Sequence, residues 1–97
     1  MITRIVKMTF KEEHIQDFIA IFHLSAPEIR TFNGCLHVEL LSNIHEPHIM
    51  CTLSKWKNEE ALNEYRNSTF FSNTWKETKK LFQEKAEAWS FVEVKDI

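Results

Sequence analysis

The spacing of hydrophobic and polar positions changes several times along the chain, and each change marks an element. From Ile2 to Phe10 the side chains alternate: Ile2, Arg4, Val6, Met8 and Phe10 share one face, and Thr3, Ile5, Lys7 and Thr9 the other. That two-residue period is a strand. Between Lys11 and Leu24 the period lengthens, with Ile15, Phe18, Ile19 and Phe22 at i, i+3, i+4, i+7. This predicts an amphipathic helix, with Glu12 and Glu13 placed favourably at its positive end. Pro27 is expected to break or bend it. Ser25-Ala26-Pro27-Glu28 has capping-box spacing, which suggests a short second helical piece to about Thr31. Asn33-Gly34 marks a turn, and the lone glycine of the chain is expected at positive φ.

Cys35–Asn43 and His48–Trp56 read as two strands joined by the loop Ile44-His45-Glu46-Pro47. If Asn43 faces His48, Leu36, Val38 and Leu40 meet Lys55, Leu53 and Cys51. Cys35, His37, Glu39 and Leu41 then meet Trp56, Ser54, Thr52 and Met50. Asn58 is a natural N-cap for a helix carrying Ala61, Leu62 and Tyr65, and Ser68 caps the next. On that last helix Phe71, Trp75, Thr78 and Phe82 line one face. Ser90–Lys95, short and β-branched, reads as the final strand. The order β-α-β-β-α-β, with both helices bent or split, predicts an α+β ferredoxin-like domain over residues 1–97 with a four-stranded antiparallel sheet.

In this topology helices cover one face of the sheet only. Under the register above neither face of the inner hairpin is polar: one carries Leu36, Val38, Leu40 and Leu53, the other Leu41, Met50 and Trp56. Leaving such side chains in water forgoes roughly 1.5–3 kcal/mol each. A two-fold homodimer, sheet against sheet, is therefore expected.

Composition narrows the function. The 97 residues are 43% hydrophobic, with eight Phe, a generous apolar supply for a small core. A net charge of −2 offers no basic field for nucleic acid or an anionic membrane. No apolar run reaches the ~18–20 residues of a spanning helix, and the alternating start is unlike a signal peptide. Cys35 and Cys51 stand about five residues apart along the hairpin, roughly 16 Å, beyond the ~7 Å a disulfide allows. Both are expected as free thiols in a small core, which suits a cytoplasmic protein.

A first strand of type Ile-x-Arg-Ile-Val, the segment Asn33-Gly34-Cys35-Leu36-x-x-Glu39-Leu40 and the strand end at Trp56 are followed by Asn58-Glu59-Glu60-Ala61-Leu62-x-x-Tyr65 and Ser68-x-x-Phe71. Together, in this order and spacing over nearly the whole chain, they resemble the antibiotic biosynthesis monooxygenase domain family of the dimeric α+β barrel superfamily. The resemblance implies a homodimer with one pocket per subunit between sheet and helices. It also implies, for some members, oxygenation of quinols or phenols without a cofactor. Many members carry a His on the second helix where Tyr65 stands, and another in a Pro-His-Phe segment that here reads Thr69-Phe70-Phe71. A haem-degrading branch has an Asn on strand one and a His on the third helix; Val6 and either Trp75 or Glu77 occupy those places, which argues against haem degradation.

A cofactor-free oxygenase must bind an electron-rich aromatic and favour its deprotonated form beside a dry cavity. Tyr65, Phe70, Phe71 and Trp75 are candidates for its walls, although aromatics at helical spacing are commonly core. His37 and Glu39 alternate onto one strand face as a candidate base and its orienter, or else lie in the dimer interface. Trp56 is mainly structural, with pocket contact possible. The expected site is thus Tyr65 and His37 as catalytic groups, with Trp75, Phe71, Phe70, Trp56 and Glu39 binding a small aromatic, and molecular oxygen as co-substrate. His45 and His48, three apart in a proline loop, do not make a metal motif, and one glycine cannot make a phosphate loop. An isomerase or mutarotase of a small carbonyl compound, and a binding dimer without turnover, are the competing readings.

Overall fold

The computed structural model describes residues 1–97. Its elements run β1 (Ile2–Phe10), a 3-10 turn (Glu12–His14), α1 (Ile15–Ile29), β2 (Cys35–Ser42), β3 (Ile49–Trp56), α2 (Glu59–Arg66), α3 (Thr69–Lys79) and β4 (Phe82–Val92). The sheet is antiparallel in the order β2-β3-β1-β4, the ferredoxin-like arrangement expected from the element order. None of the helices is long and apolar enough to cross a membrane.

Local chemistry explains most boundaries. Asn58 Oδ1 accepts from the Ala61 N–H at 2.9 Å and starts α2; Ser68 Oγ accepts from the Phe71 N–H at 3.1 Å and starts α3. Gly34 sits at φ +83°, in the left-handed region. A Cβ there would come within 2.5 Å of the Ala61 Cβ, so the turn also depends on the close approach of α2.

Three expectations are corrected. Pro27 does not break the first helix, and no second piece begins at Ser25: α1 runs on to Ile29. Proline removes only one N–H from the helical ladder. The turns on either side of it bury Ser25 and Ala26 before the proline and Ile29 after it, and the Arg30 N–H still reaches the Ala26 carbonyl at 3.0 Å. The second correction is the hairpin register. Cys35 faces Trp56 as expected, but from His37 onward β2 is displaced by one residue, so Val38 faces Ser54, Leu40 faces Thr52 and Leu41 faces Cys51. A bulge that sets both Leu36 and His37 against Lys55 causes this.

Third, Phe82 is not the end of a helix but the start of β4, eight residues before the expected last strand. Gln83, Glu84, Lys85, Ala86, Glu87 and Ala88 are good helix formers. They lie instead on an edge strand bonded to β1, with register shifts between Lys7 and Phe10. Charged residues suit such an edge, because they discourage pairing with another chain. Phe82 itself packs on Phe10, ring centroids 5.4 Å apart.

The helices lie on the sheet face formed by Arg4, Val6 and Met8 of β1 with Val38, Thr52, Ser54 and Trp56. The buried side chains form two clusters. One holds Ala26, Ile29, Val38, Trp56, Ala61 and Leu62; the other holds Met8, Phe10, Phe18 and Met50. On the far face stand Ile5, Cys51 and Leu53, half-buried, with Leu41, Trp89 and Phe91 at 41–50% exposure. Cys35 and Cys51 are free, and both are half-buried rather than core.

Substituting Gly34→Ala combines the cost of positive φ with overlap against Ala61. The expected loss of stability is about 2–4 kcal/mol. It would be read as a lower guanidinium midpoint at unchanged slope and fixed protein concentration. An unchanged midpoint would refute this account of the turn.

Candidate functional site

Between the two clusters the helix layer and the sheet do not meet, and a cavity of about 540 Å³ remains. That volume is in the range that holds small-molecule ligands. Its floor is the sheet: Arg4, Val6 and Met8 from β1, Val38 from β2, Thr52 and Ser54 from β3, and Ala88 from β4. Above it lie Phe18, Ile21, Phe22, Ser25 and Ile29 of α1. The remaining wall comes from Leu62, Asn63, Tyr65 and Arg66 of α2, then Asn67, then Phe71, Thr74, Trp75 and Thr78 of α3. The break between α2 and α3 is thus part of the site, because it turns both segments toward the gap.

An aromatic chain spans the wall. Tyr65 stacks on Trp56 at 5.0 Å and 23° and meets Phe71 edge-on at 5.1 Å; Phe71 stacks on Trp75 at 5.9 Å and 10°; Trp75 meets Phe82 edge-on at 5.6 Å. These offset and edge-to-face pairs hold the rings rigidly. The hydrogen bonds nearby are few. Trp56 Nε1 donates to Ser54 Oγ at 2.9 Å, Arg4 Nη1 donates to Ser90 Oγ at 3.0 Å, and Thr78 Oγ1 donates to the Thr74 carbonyl at 2.8 Å. Every fully buried side-chain nitrogen and oxygen has a partner. The Tyr65 hydroxyl and the Asn63, Asn67 and Arg66 side chains bond no other group, so they are open to a ligand.

The titratable groups on the wall are Arg4, Tyr65 and Arg66. Burial, and next the nearby Cys35, push the Tyr65 hydroxyl far above the ordinary tyrosine range, so at neutral pH it is a neutral donor. Burial, reinforced by the positive charge of Arg66, lowers the Arg4 guanidinium from its usual value. It remains a cation at any physiological pH. Cys35 lies outside the cavity, and burial raises its thiol.

Of the residues expected from sequence, Tyr65, Phe71 and Trp75 line the cavity together. Phe70 packs beside Phe32, 5.9 Å between centroids, on the cluster around Trp56. Trp56 is fully buried beneath Tyr65. His37 and Glu39 are elsewhere. The β2 bulge turns them to the sheet face away from the helices, where His37 Nε2 lies 3.2 Å from Glu39 Oε1 and both are about half exposed. They pair with each other and do not reach the cavity.

The sequence reading omitted Arg4, Asn63, Arg66 and Asn67. For Arg4 a signal existed: it interrupts the otherwise apolar set Ile2, Val6, Met8, Phe10, and a charge in such a stripe needs a wet or liganded environment. Asn63, Arg66 and Asn67 look like ordinary helix-surface residues. All three stay exposed in the fold, and they meet the cavity only at its rim, where α2 gives way to α3.

Comparisons with known proteins agree with this geometry. Solved structures of the same fold include a conserved protein from Methanosarcina mazei Go1, 22% identical, covering 94% of this chain and 91% of that one at a TM-score of 0.88. An antibiotic biosynthesis monooxygenase is 16% identical, with 97% and 99% covered and a TM-score of 0.90. A protein from Mycobacterium tuberculosis is 14% identical, with 98% and 96% covered and a TM-score of 0.88. At these identities the likeness is one of fold. No curated protein matches the sequence. The model of the family described as antibiotic biosynthesis monooxygenase matches residues 1–78, and the chain belongs to that family.

Proposed function

We propose that the protein oxygenates a quinol or phenolic aromatic in this cavity without a cofactor, taking both the electrons and the carbon centre from the substrate. The observation that carries the reading is a cavity with a mostly apolar floor, an aromatic wall and a free neutral hydroxyl on Tyr65. Val6, Met8 and Val38 on one side and Phe71 and Trp75 on the other would face the two sides of a flat aromatic.

The chemistry follows from the groups present. A phenol must lose its proton before it reduces oxygen readily. A donor fixed in an apolar site stabilises the resulting oxyanion far more than water does, because it need not reorganise. Tyr65 is such a donor. The phenolic proton leaves to solvent. The quinolate then passes one electron to O₂, and the two radicals join through a new carbon–oxygen bond. The hydroperoxide loses water and leaves a carbonyl on the ring. One oxygen atom of O₂ enters the product and the other leaves as water, so a hydroquinone plus O₂ yields a hydroxyquinone plus H₂O.

The same inventory disfavours a proton-shuttling isomerase. Such an enzyme needs a group that both takes and returns a proton near neutrality. Arg4 stays charged and Tyr65 stays neutral across that range. His37, the expected base, lies on the other face.

The working unit in this reading is a homodimer. Thirteen of 97 residues are buried in the single chain, while Leu36, Leu41, Trp89 and Phe91 are each 41–56% exposed. The last three lie with Ile5 and Leu53 on the helix-free face, and a second copy laid face to face would cover them.

Four outcomes are expected. Oxygen uptake should exceed autoxidation for at least one member of a benzo- and naphthohydroquinone panel, with one ¹⁸O atom incorporated from ¹⁸O₂. Tyr65→Phe should lower kcat by roughly 10–100-fold; uptake no faster than autoxidation across the panel would sink the reading. Tyr65 is the sole tyrosine, so absorbance at alkaline pH reports on it alone. The folded protein should show no phenolate signal through the ordinary range near pH ~10. Because its folded-state affinity for the proton is raised, its contribution to stability is complete below that range and is lost progressively as pH rises from there toward the raised folded-state value. Phenolate appearing near pH ~10 in folded protein would contradict the burial described here. Sedimentation equilibrium at micromolar concentration should give twice the 11.6 kDa chain mass, and a single-chain mass would exclude the dimer.

A further inference from the structure

We infer that the ligand carries a fixed negative group, a carboxylate on an aromatic ring, held between Arg4 and Arg66 at one part of the cavity wall. The inference rests on the site reading above and narrows its substrate to aromatic acids bearing the oxidisable hydroxyl.

Both arginines line the cavity from opposite layers, Arg4 on the strand floor and Arg66 at the end of α2. They are near enough for the charge of Arg66 to disfavour that of Arg4. Two like charges facing one space repel, and the partial burial of Arg4 adds a desolvation cost. A protein ordinarily offsets this with a carboxylate, but none is supplied. The ion pairs of the chain are Lys7 with Glu87, His14 with Asp17, His37 with Glu39 and Lys80 with Glu77, and neither cavity arginine takes part. Arg4 spends one donor on Ser90 Oγ at 3.0 Å. A guanidinium has five donors, in a fork that matches a carboxylate.

Arg66 alone has a simple explanation, since a cation is favoured in the last turn of a helix. Arg4 has none of that kind. It stands mid-strand among Ile2, Val6 and Met8, on the face that packs against the helices. Asn63 and Asn67, also on the wall, add amide donors beside Arg66. Stabilising a phenolate calls for one donor, which Tyr65 provides, so the two arginines together are left for a second anionic group.

The test uses two probes of nearly equal shape that cannot be oxygenated in place of a quinol: 2-naphthoate and 2-naphthamide. Titration calorimetry on the unmodified protein should show 2-naphthoate binding at least about tenfold tighter, the value of one charge-assisted pair. That preference should weaken as salt rises. Arg66→Gln and Arg4→Gln should each remove most of it while leaving 2-naphthamide binding within about threefold. Arg4→Lys should retain part of it. Arg66 is exposed on the helix end, so Arg66→Gln reports even if the strand variants fold poorly. Equal affinity for the two probes, tighter binding of the amide, or binding of neither would overturn the inference. Because no oxygen is consumed in this measurement, a lost preference is distinguishable from a lost oxygenase activity, which the quinol assay reads separately.

Discussion

Two buried aromatic anchors, Phe10 and Trp56, hold the helix layer to the sheet at its two ends and leave the middle open. Both are completely buried. Phe10 stacks on Phe18 of α1 at 4.5 Å, and Trp56 stacks on Tyr65 of α2 at 5.0 Å. Each anchor gathers its own cluster of apolar side chains. Two helical arms of this length cannot also fill the space between, so the cavity is a consequence of how a four-stranded sheet is covered. The aromatic chain from Trp56 through Tyr65, Phe71 and Trp75 to Phe82 braces the gap and keeps it from collapsing.

The sheet divides the chemistry of the molecule. Toward the helices the strands present Arg4, Val6, Met8, Val38, Thr52 and Ser54, a mostly apolar surface with one cation and two hydroxyls. On the opposite face lie Ile5, Leu53, Cys51 and Leu41 beside the His37–Glu39 and Lys7–Glu87 pairs. A one-residue displacement in β2 decides which hairpin side chains belong to which side. It converts His37 from a plausible base into one half of a pair remote from the cavity. Which side chains line the cavity depends on register as much as on residue type, because every slip of one exchanges the two faces.

Much of the architecture was legible because it is local. The alternation in Ile2–Phe10, the period of Ile15, Phe18, Ile19 and Phe22, the caps at Asn58 and Ser68 and the lone Gly34 each depend on neighbouring residues only. The errors share one cause. Pro27 inside a helix, the bulge at Leu36 and the helix-forming stretch Gln83–Ala88 drawn into an edge strand are all cases in which long-range packing outweighs a local preference of about 1–3 kcal/mol. The site was half legible for the same reason. Tyr65, Phe71 and Trp75 follow from helical spacing, whereas Arg66, Asn63 and Asn67, exposed residues, border the cavity only because α2 gives way to α3 beside it.

By itself, then, the order of residues determined the element sequence, the ferredoxin-like topology and the aromatic wall, since period, capping and turn chemistry act over a few positions, and its motifs along the chain carried the family resemblance. Tertiary structure alone decided the strand register, the length of β4, the exclusion of His37 from the cavity and the convergence of Arg4 with Arg66. Those depend on which surfaces are buried together, and burial is a property of the whole packed chain rather than of any segment of it.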